Sequence, residues 1–246
     1  MSLDYQRLAN YITDSVVEPF YRDRFKKLEE IKLSTILKRK NPYLFKAKNL
    51  TNANDLVKEV VDAYISSGEE TIFGTYLEQL SIYVCEQVYG GSKSTAEGID
   101  MEFDKDGVRY LVSIKSGPNW GNSGQIARMK DNFRKARRIL GTNTTRSNVV
   151  AANGCCYGKE NQPDKGEYIK YCGQDYWEFI SGEKELYQQL IVPLERKAKE
   201  KDEQFDDAYN RKINQLTKDM LDNFCLNDGS IDWNKLLRFN SGSTIA

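Results

Sequence analysis

An acid and an amine on either side of a tight turn are the residues in this chain whose spacing could do chemistry. They lie in GIDMEFDKDGVRYLVSIKSGPNWG, residues 98–121. Asp106-Gly107 is a hairpin-turn signal, because Gly tolerates a positive φ and Asp tolerates it better than most residues. A hairpin centred there sets Phe103 against Tyr110, Met101 against Val112 and Ile99 against Ile114, an apolar face suited to a core. Its other face sets Asp104 against Arg109, Glu102 against Leu111 and Asp100 against Ser113, with Lys115 a diagonal step from Asp100. A carboxylate and an ammonium therefore meet beside a loop rich in Gly, Asn and Ser. Such a pair suits phosphodiester hydrolysis. Carboxylate oxygen is a good ligand for Mg²⁺, a metal-bound water is acidified, and an ammonium can orient the attacking water or offset charge in the transition state. An Asp and a Lys on one hairpin face are more commonly a plain surface ion pair, so spacing alone leaves both readings open.

Composition removes several other chemistries. The chain has 246 residues and no His, which excludes Ser-His-Asp and Cys-His triads, His-ligated zinc and His general bases. Lys and Arg number 36 and so do Asp and Glu, so any basic surface must be local. The five cysteines form no CxxC pair, which argues against a zinc ribbon and for reduced cytosolic thiols. Cys155-Cys156 lies in an apolar run and reads as core packing. No apolar stretch is long enough to span a bilayer, and the N-terminus does not read as a signal peptide.

The elements that must position the pair follow from periodicity. Residues 4–37 are helical with an interruption at Glu18-Pro19. Residues 38–48 hold Lys38, Arg39, Lys40, Lys46 and Lys48 with no acid, either a phosphate contact or a solvated turn. Asn54 is expected to cap a helix through Ile65 that ends at Ser66-Ser67-Gly68. A second helix, Glu69 to Tyr89, carries an apolar stripe with Glu78 and Glu86 off it. After the hairpin, Gln125 to Leu140 is a basic helix capped by Asn122 or Ser123, with Arg134 and Arg138 on one face. That helix is either a clamp on a phosphate backbone or a solubilising surface. Ser147 to Tyr157 reads as a buried central strand, and Tyr168 to Trp177 as a further strand with a Gly bend. Residues 183–225 are helical, broken or restarted at Pro193, with a short amphipathic segment at Trp233 to Phe239. The simplest organisation is one domain over 1–246 with helical additions at about 1–67 and about 183–246.

Asp100 on one strand, Ser113-Ile114-Lys115 on the next, and the run into SGPNWGNSGQ resemble the PD-(D/E)XK nuclease superfamily, in particular its type II restriction endonucleases. NVVAANGCCYGK and KYCGQDYWEFISG extend the likeness over roughly residues 70–240. It implies an α/β fold with a central mixed sheet flanked by helices and extended by N- and C-terminal helices. It also implies Mg²⁺-dependent, sequence-specific cutting of double-stranded DNA to 5′-phosphate and 3′-hydroxyl ends. Asp100 and the Ile114 carbonyl would ligate the metal, Lys115 would act on the water and transition state, and Asn119, Trp120, Arg134 and Arg138 would contact DNA. A cytoplasmic homodimer follows by the same resemblance, with a cognate methyltransferase as a partner that forms no stable complex. The chain departs from the pattern at Ser113, where an acid is usual. Ser113 can still hydrogen-bond a metal water. The missing carboxylate would come from Glu78, Glu86, Glu102 or Asp131. Periodicity does not separate Glu78 from Glu86, and the resemblance favours Glu78. A DNA-binding protein without activity on this scaffold, or a nuclease of repair or element mobility, is the alternative.

Overall fold

The computed structural model describes residues 3–143, 148–195 and 198–243. Ser147, the expected start of the central strand, and Arg196-Lys197, inside the expected C-terminal helices, lie outside them. The chain forms two compact units: Met1–Glu18 with Phe73–Arg196, and Pro19–Ile72 with Lys197–Ala246. In order come α1 (Tyr5–Ile12), a π-helical turn (Thr13–Val17), α2 (Glu18–Glu29), α3 (Leu33–Leu37), α4 (Pro42–Ala47) and α5 (Ala53–Tyr89). Next are β1 (Ser92–Lys93), β2 (Met101–Lys105), β3 (Val108–Lys115), α6 (Ser123–Asn143), β4 (Val149–Cys155) and β5 (Ile169–Cys172). The chain closes with α7 (Gln174–Ser181), α8 (Leu186–Gln189), α9 (Ile191–Glu195), α10 (Ala198–Phe224) and α11 (Trp233–Ser241). The described helices include none long and apolar enough to cross a membrane.

The first unit is built on a sheet of order β1-β2-β3-β4-β5. The β1-β2 and β2-β3 pairs are antiparallel, whereas β3-β4 and β4-β5 are parallel. The β2-β3 register pairs Met101 with Val112, Phe103 with Tyr110 and Asp104 with Arg109, as the Asp-Gly turn requires. Asp106 and Gly107 adopt φ of 51° and 76°, the left-handed pair that matches strand twist. On one face Leu111 and Ala151 pack against Met129, Phe133 and Ala136 of α6. On the other, Phe103 stacks with Tyr89 of α5 and with Tyr110, and both Phe103 and Tyr110 meet the Phe179 ring of α7 at an angle. The mixed sheet between helices is the expected fold class. One side chain changes face. Ile99, expected on the Met101 face, joins Leu111 and α6, because β2 begins only at Met101 and strand alternation does not reach back to it.

The helices differ from expectation at three points. α5 runs unbroken for 37 residues through Ser66-Ser67-Gly68. An interior Gly costs about 1 kcal/mol, too little to end a helix packed along its length. Lys27 lies where a Cβ on Gly68 would sit, 1.7 Å from its Nζ. The cap of α5 is Asn52, whose Oδ1 accepts the Asp55 N–H at 2.9 Å, while Asn54 lies inside the helix with its amide toward Thr217. Gln174–Trp177, read as strand, opens α7 instead. Gly173 turns the chain with φ 55°, and a Cβ there would come 2.5 Å from the Gly158 carbonyl.

In the second unit, Leu56, Val57, Val60 and Val61 of α5 pack with Ile36 and Leu37 of α3 and with Ile213, Leu216 and Met220 of α10.

Close packing in the first unit yields a stability prediction. A Cβ on Gly154 would meet the fully buried Tyr176 ring at 2.1 Å. Gly154→Ala is expected to lose about 1–3 kcal/mol by overpacking, read as a lower denaturant midpoint at unchanged slope.

Candidate active site

The carboxyl ends of β3, β4 and β5 lie along one edge of the sheet, and Asp100, just ahead of the antiparallel β2, reaches the same edge. Ligands in sheets of parallel strands bind beyond those ends. Gly98 sets the approach of Asp100. Its φ is 72°, and a Cβ would fall 1.9 Å from the buried Asn132 amide on α6, so both backbone and space call for glycine.

Asp100 is held tightly. Its Oδ2 accepts the Ile114 N–H at 2.6 Å and the Ser113 hydroxyl at 3.4 Å, with Lys115 Nζ at 3.7 Å. Lys115 Nζ also donates to the Ile114 carbonyl at 2.8 Å and lies 5.4 Å from the centre of the Trp120 ring. Ser113 is buried and its hydroxyl is directed to Asp100. The ion pair is therefore part of a bonded cluster joining both strands at the sheet edge.

The candidate acids fall in different surroundings. Glu78 is half-buried on α5, and its carboxyl is raised, first by burial and then by the charge of Asp100, with Lys93 and Lys115 acting against the rise. One turn earlier on α5, a Cβ on Gly74 would sit 3.5 Å from Ser116, in ordinary contact with the residue after Lys115. Glu86 is exposed, and its charge acts on Tyr11. Glu102 pairs with Arg109 at 2.8 Å. Asp131 pairs with Lys135 at 3.0 Å, a hydrogen bond that holds its carboxyl below the usual range.

The expected DNA-contacting residues are dispersed. Asn119 is exposed on the loop after Lys115, whereas Trp120 is half-buried, with its indole N–H on Asn153 Oδ1 at 3.0 Å. Arg134 and Arg138 both lie exposed on α6, and Arg134 is engaged by Glu167 at 2.7 Å. Of the basic segment 38–48, Lys40 donates to the Ala63 carbonyl, Lys38 and Lys46 lie over the Phe239 and Trp233 rings, and Lys48 pairs with Glu59.

Sequence reasoning missed residues that shape this cluster. Lys93, at the end of β1, supplies a further positive charge toward Glu78. Asn153, fully buried opposite Ser113, donates to the Ser113 carbonyl at 3.0 Å while accepting from Trp120. It ties the loop after Lys115 to β3. A lone amide inside the apolar run VVAANGCC was the signal that could have found it.

The donor set fits a hard divalent cation. Asp100 and Glu78 are neighbouring carboxylates whose repulsion a cation would relieve, and the Ile114 carbonyl adds a neutral oxygen. Among the described residues no group of three or more His, Cys, Asp or Glu is gathered, so an ion here would keep several waters, as Mg²⁺ does.

Comparison with protein families matches residues 6–202 to Type II restriction endonuclease EcoO109I. The comparison with curated proteins gives no match. Enzymes of this type act on DNA and generally use a divalent metal. The match covers well over half of the chain and contains Glu78, Asp100, Ser113, Lys115 and α6. The chain therefore belongs to the type II restriction endonuclease EcoO109I family and is a site-specific deoxyribonuclease.

Proposed function

We propose that Asp100, Glu78 and Lys115 form a Mg²⁺-dependent hydrolytic site that cuts both strands of a short DNA sequence, leaving 5′-phosphate and 3′-hydroxyl ends. The observation that carries the reading is the bonded cluster of Asp100, the Ile114 N–H and Lys115 at the edge of the sheet.

Asp100, Glu78 and the Ile114 carbonyl would hold the cation, which supplies charge neutralisation and a more acidic water. The protein's residues do the remainder. The Ile114 N–H fixes one oxygen of Asp100, and Ser113 adds a second donor to it. Lys115 presents a cation where negative charge grows on the phosphate oxygens, and donates to the attacking water. The water gives a proton to solvent as its oxygen bonds to phosphorus, the bond from phosphorus to O3′ breaks, and O3′ takes up a proton from solvent. Asn153 and Trp120 keep the loop beside Lys115 in place, which preserves its aim.

In this reading α6 lies along the phosphate backbone, with Arg138 free to contact it and Arg134 exchanging Glu167 for phosphate. Arg134→Ala with Arg138→Ala is expected to weaken binding to every duplex about equally and to flatten the salt dependence of affinity. A fluorescence anisotropy titration at several salt concentrations reads both, and an unchanged slope would assign α6 to the solvated surface.

We further propose that the helical unit is an addition to a single endonuclease rather than a separate activity, and that the enzyme works as a homodimer on a two-fold symmetric site. The free cysteines suit a reducing cytoplasm. There a methyltransferase of the same specificity would protect host DNA without a stable complex. Digestion of a sequenced phage DNA with Mg²⁺, with mapping of the ends, tests the function. Discrete fragments carrying 5′-phosphates are expected. Smears, or no cutting in Mg²⁺ or Mn²⁺, would refute it. Sedimentation at the protomer mass both with and without cognate duplex would refute the dimer.

A further inference from the structure

The loop after β4 is braced more firmly than a connector needs. Glu160 pairs with Lys165 at 3.0 Å and Lys170 at 3.2 Å and accepts the Gln162 N–H at 3.1 Å. That amide, then the lysines, hold the Glu160 carboxyl down at about 2. The Lys170 N–H bonds the Pro163 carbonyl at 2.8 Å, and Asp164 accepts the Gly166 N–H at 2.7 Å. Lys170 Nζ also donates to the Pro118 carbonyl at 3.0 Å, inside the loop that leaves Lys115. The Tyr157 ring fills the space beside Gly117, and Pro118 fills that beside Gly158. The two loops are thereby joined into one braced piece.

That piece bounds a cleft of about 580 Å³ with Tyr157, Lys159, Asn161, Gln174 and Asp175 on its walls. The cleft opens beyond the carboxyl ends of β4 and β5, on the edge that carries Lys115. Lys159 and Asn161 are exposed and make no hydrogen bond or ion pair among the described residues. One brings three donors, the other a donor and an acceptor on a planar amide.

We infer that Lys159 and Asn161 select the DNA sequence by reading base edges in the major groove, next to the phosphate that Lys115 engages. Lys159 donates to the O6 and N7 of a guanine, and Asn161 makes a bidentate contact with the N6 and N7 of an adenine. The inference rests on the hydrolytic reading and deepens it, from which bond is cut to which sequence is chosen. The Glu160-Lys170 brace orders the reading loop before DNA arrives, which lowers the entropic cost of recognition. The Lys170 bond to Pro118 ties that loop to the catalytic one, so that base register and phosphate position are set together.

The test measures cleavage of a set of duplexes in which each base pair of the mapped site is varied in turn. Wild type, Lys159→Ala, Asn161→Ala and Lys115→Ala are compared, with low-salt binding to unrelated DNA and thermal midpoint as further readouts. Each of the two cleft variants is expected to lose roughly 10- to 100-fold of discrimination at one position. The expected position is a G·C pair for Lys159→Ala and an A·T pair for Asn161→Ala, with the midpoint unchanged and unrelated-DNA binding lowered by no more than a few-fold. An equal loss on all duplexes with a smaller salt slope would make these phosphate contacts and overturn the inference. Unaltered preference at every position would overturn it while leaving the hydrolytic reading intact. Cutting of no duplex by the wild type would remove the hydrolytic reading itself, and the inference with it.

Discussion

Lys115→Ala is expected to lose cleavage by about a thousandfold or more, while specific DNA affinity stays within a few-fold of wild type. The effect is this uneven because Lys115 is proposed to act on charge that appears only in the transition state, and such interactions raise kcat without tightening ground-state binding. Asp100 keeps the Ile114 N–H at 2.6 Å without the lysine, so the local strand geometry survives the substitution. Lys115 is itself partly exposed, at 31%, so its truncation leaves no sizeable cavity. Single-turnover cleavage in Mg²⁺, set beside anisotropy binding without metal, separates chemistry from affinity. Near-normal turnover would sink the assignment of Lys115. Equal losses in binding and cleavage would recast it as a DNA-docking residue.

Glu78→Gln is expected to have the next largest effect, a loss of cleavage beyond the roughly 10- to 100-fold that removal of an outer partner of a metal ligand costs. The substitution keeps the size of the side chain and removes its charge. Glu78 is the candidate acid whose carboxyl is raised by burial and then by the charge of Asp100, and Asp100 is the carboxylate it would share a cation with. Mn²⁺ affinity should fall together with activity. Glu86→Gln and Asp131→Asn, measured beside it, should cut within a few-fold of wild type. Glu86 is exposed and acts on Tyr11, and Asp131 is held by Lys135 and Arg134. A dead Asp131→Asn with a competent Glu78→Gln would move the second carboxylate to α6.

Much of the sheet was legible because its signals are local. The Asp-Gly turn fixes the β2-β3 register within a few residues, and that register sets Asp100 and Lys115 on one side of one sheet edge. The apolar run at residues 149–156 is long enough to mark a strand covered on both faces. The basic helix begins at its cap, where Asn122 and Gln125 exchange side-chain and backbone hydrogen bonds at 2.9 Å and 3.0 Å. The readings that differed are those in which a local signal was weak against packing. Ser66-Ser67-Gly68 looks like a stop, but the helix leading into it is held through Val61, Tyr64 and Ile65 by a core that local propensity does not see. Gly173 looks like a bend in a strand, but the residues after it pack Tyr176 and Trp177 inward as a helix.

The amino-acid sequence by itself determined the pairing of Asp100 with Lys115, since a period of two and a tight turn bring Asp100, Ser113 and Lys115 together without reference to the rest of the chain. It also determined the absence of histidine chemistry. Only the tertiary structure decided which acid stands beside that pair. Glu78 and Glu86 sit on the same helix, and their separation depends on how α5 is rotated against β3, with Gly74 against Ser116. Only the tertiary structure, likewise, decided that Trp120 is anchored on Asn153, that Arg134 is engaged by Glu167, and that Lys170 joins the loop after β4 to the loop after Lys115. These contacts join residues about 30 to 50 positions apart. Their partners are chosen by how strands and helices stack, which no local pattern encodes.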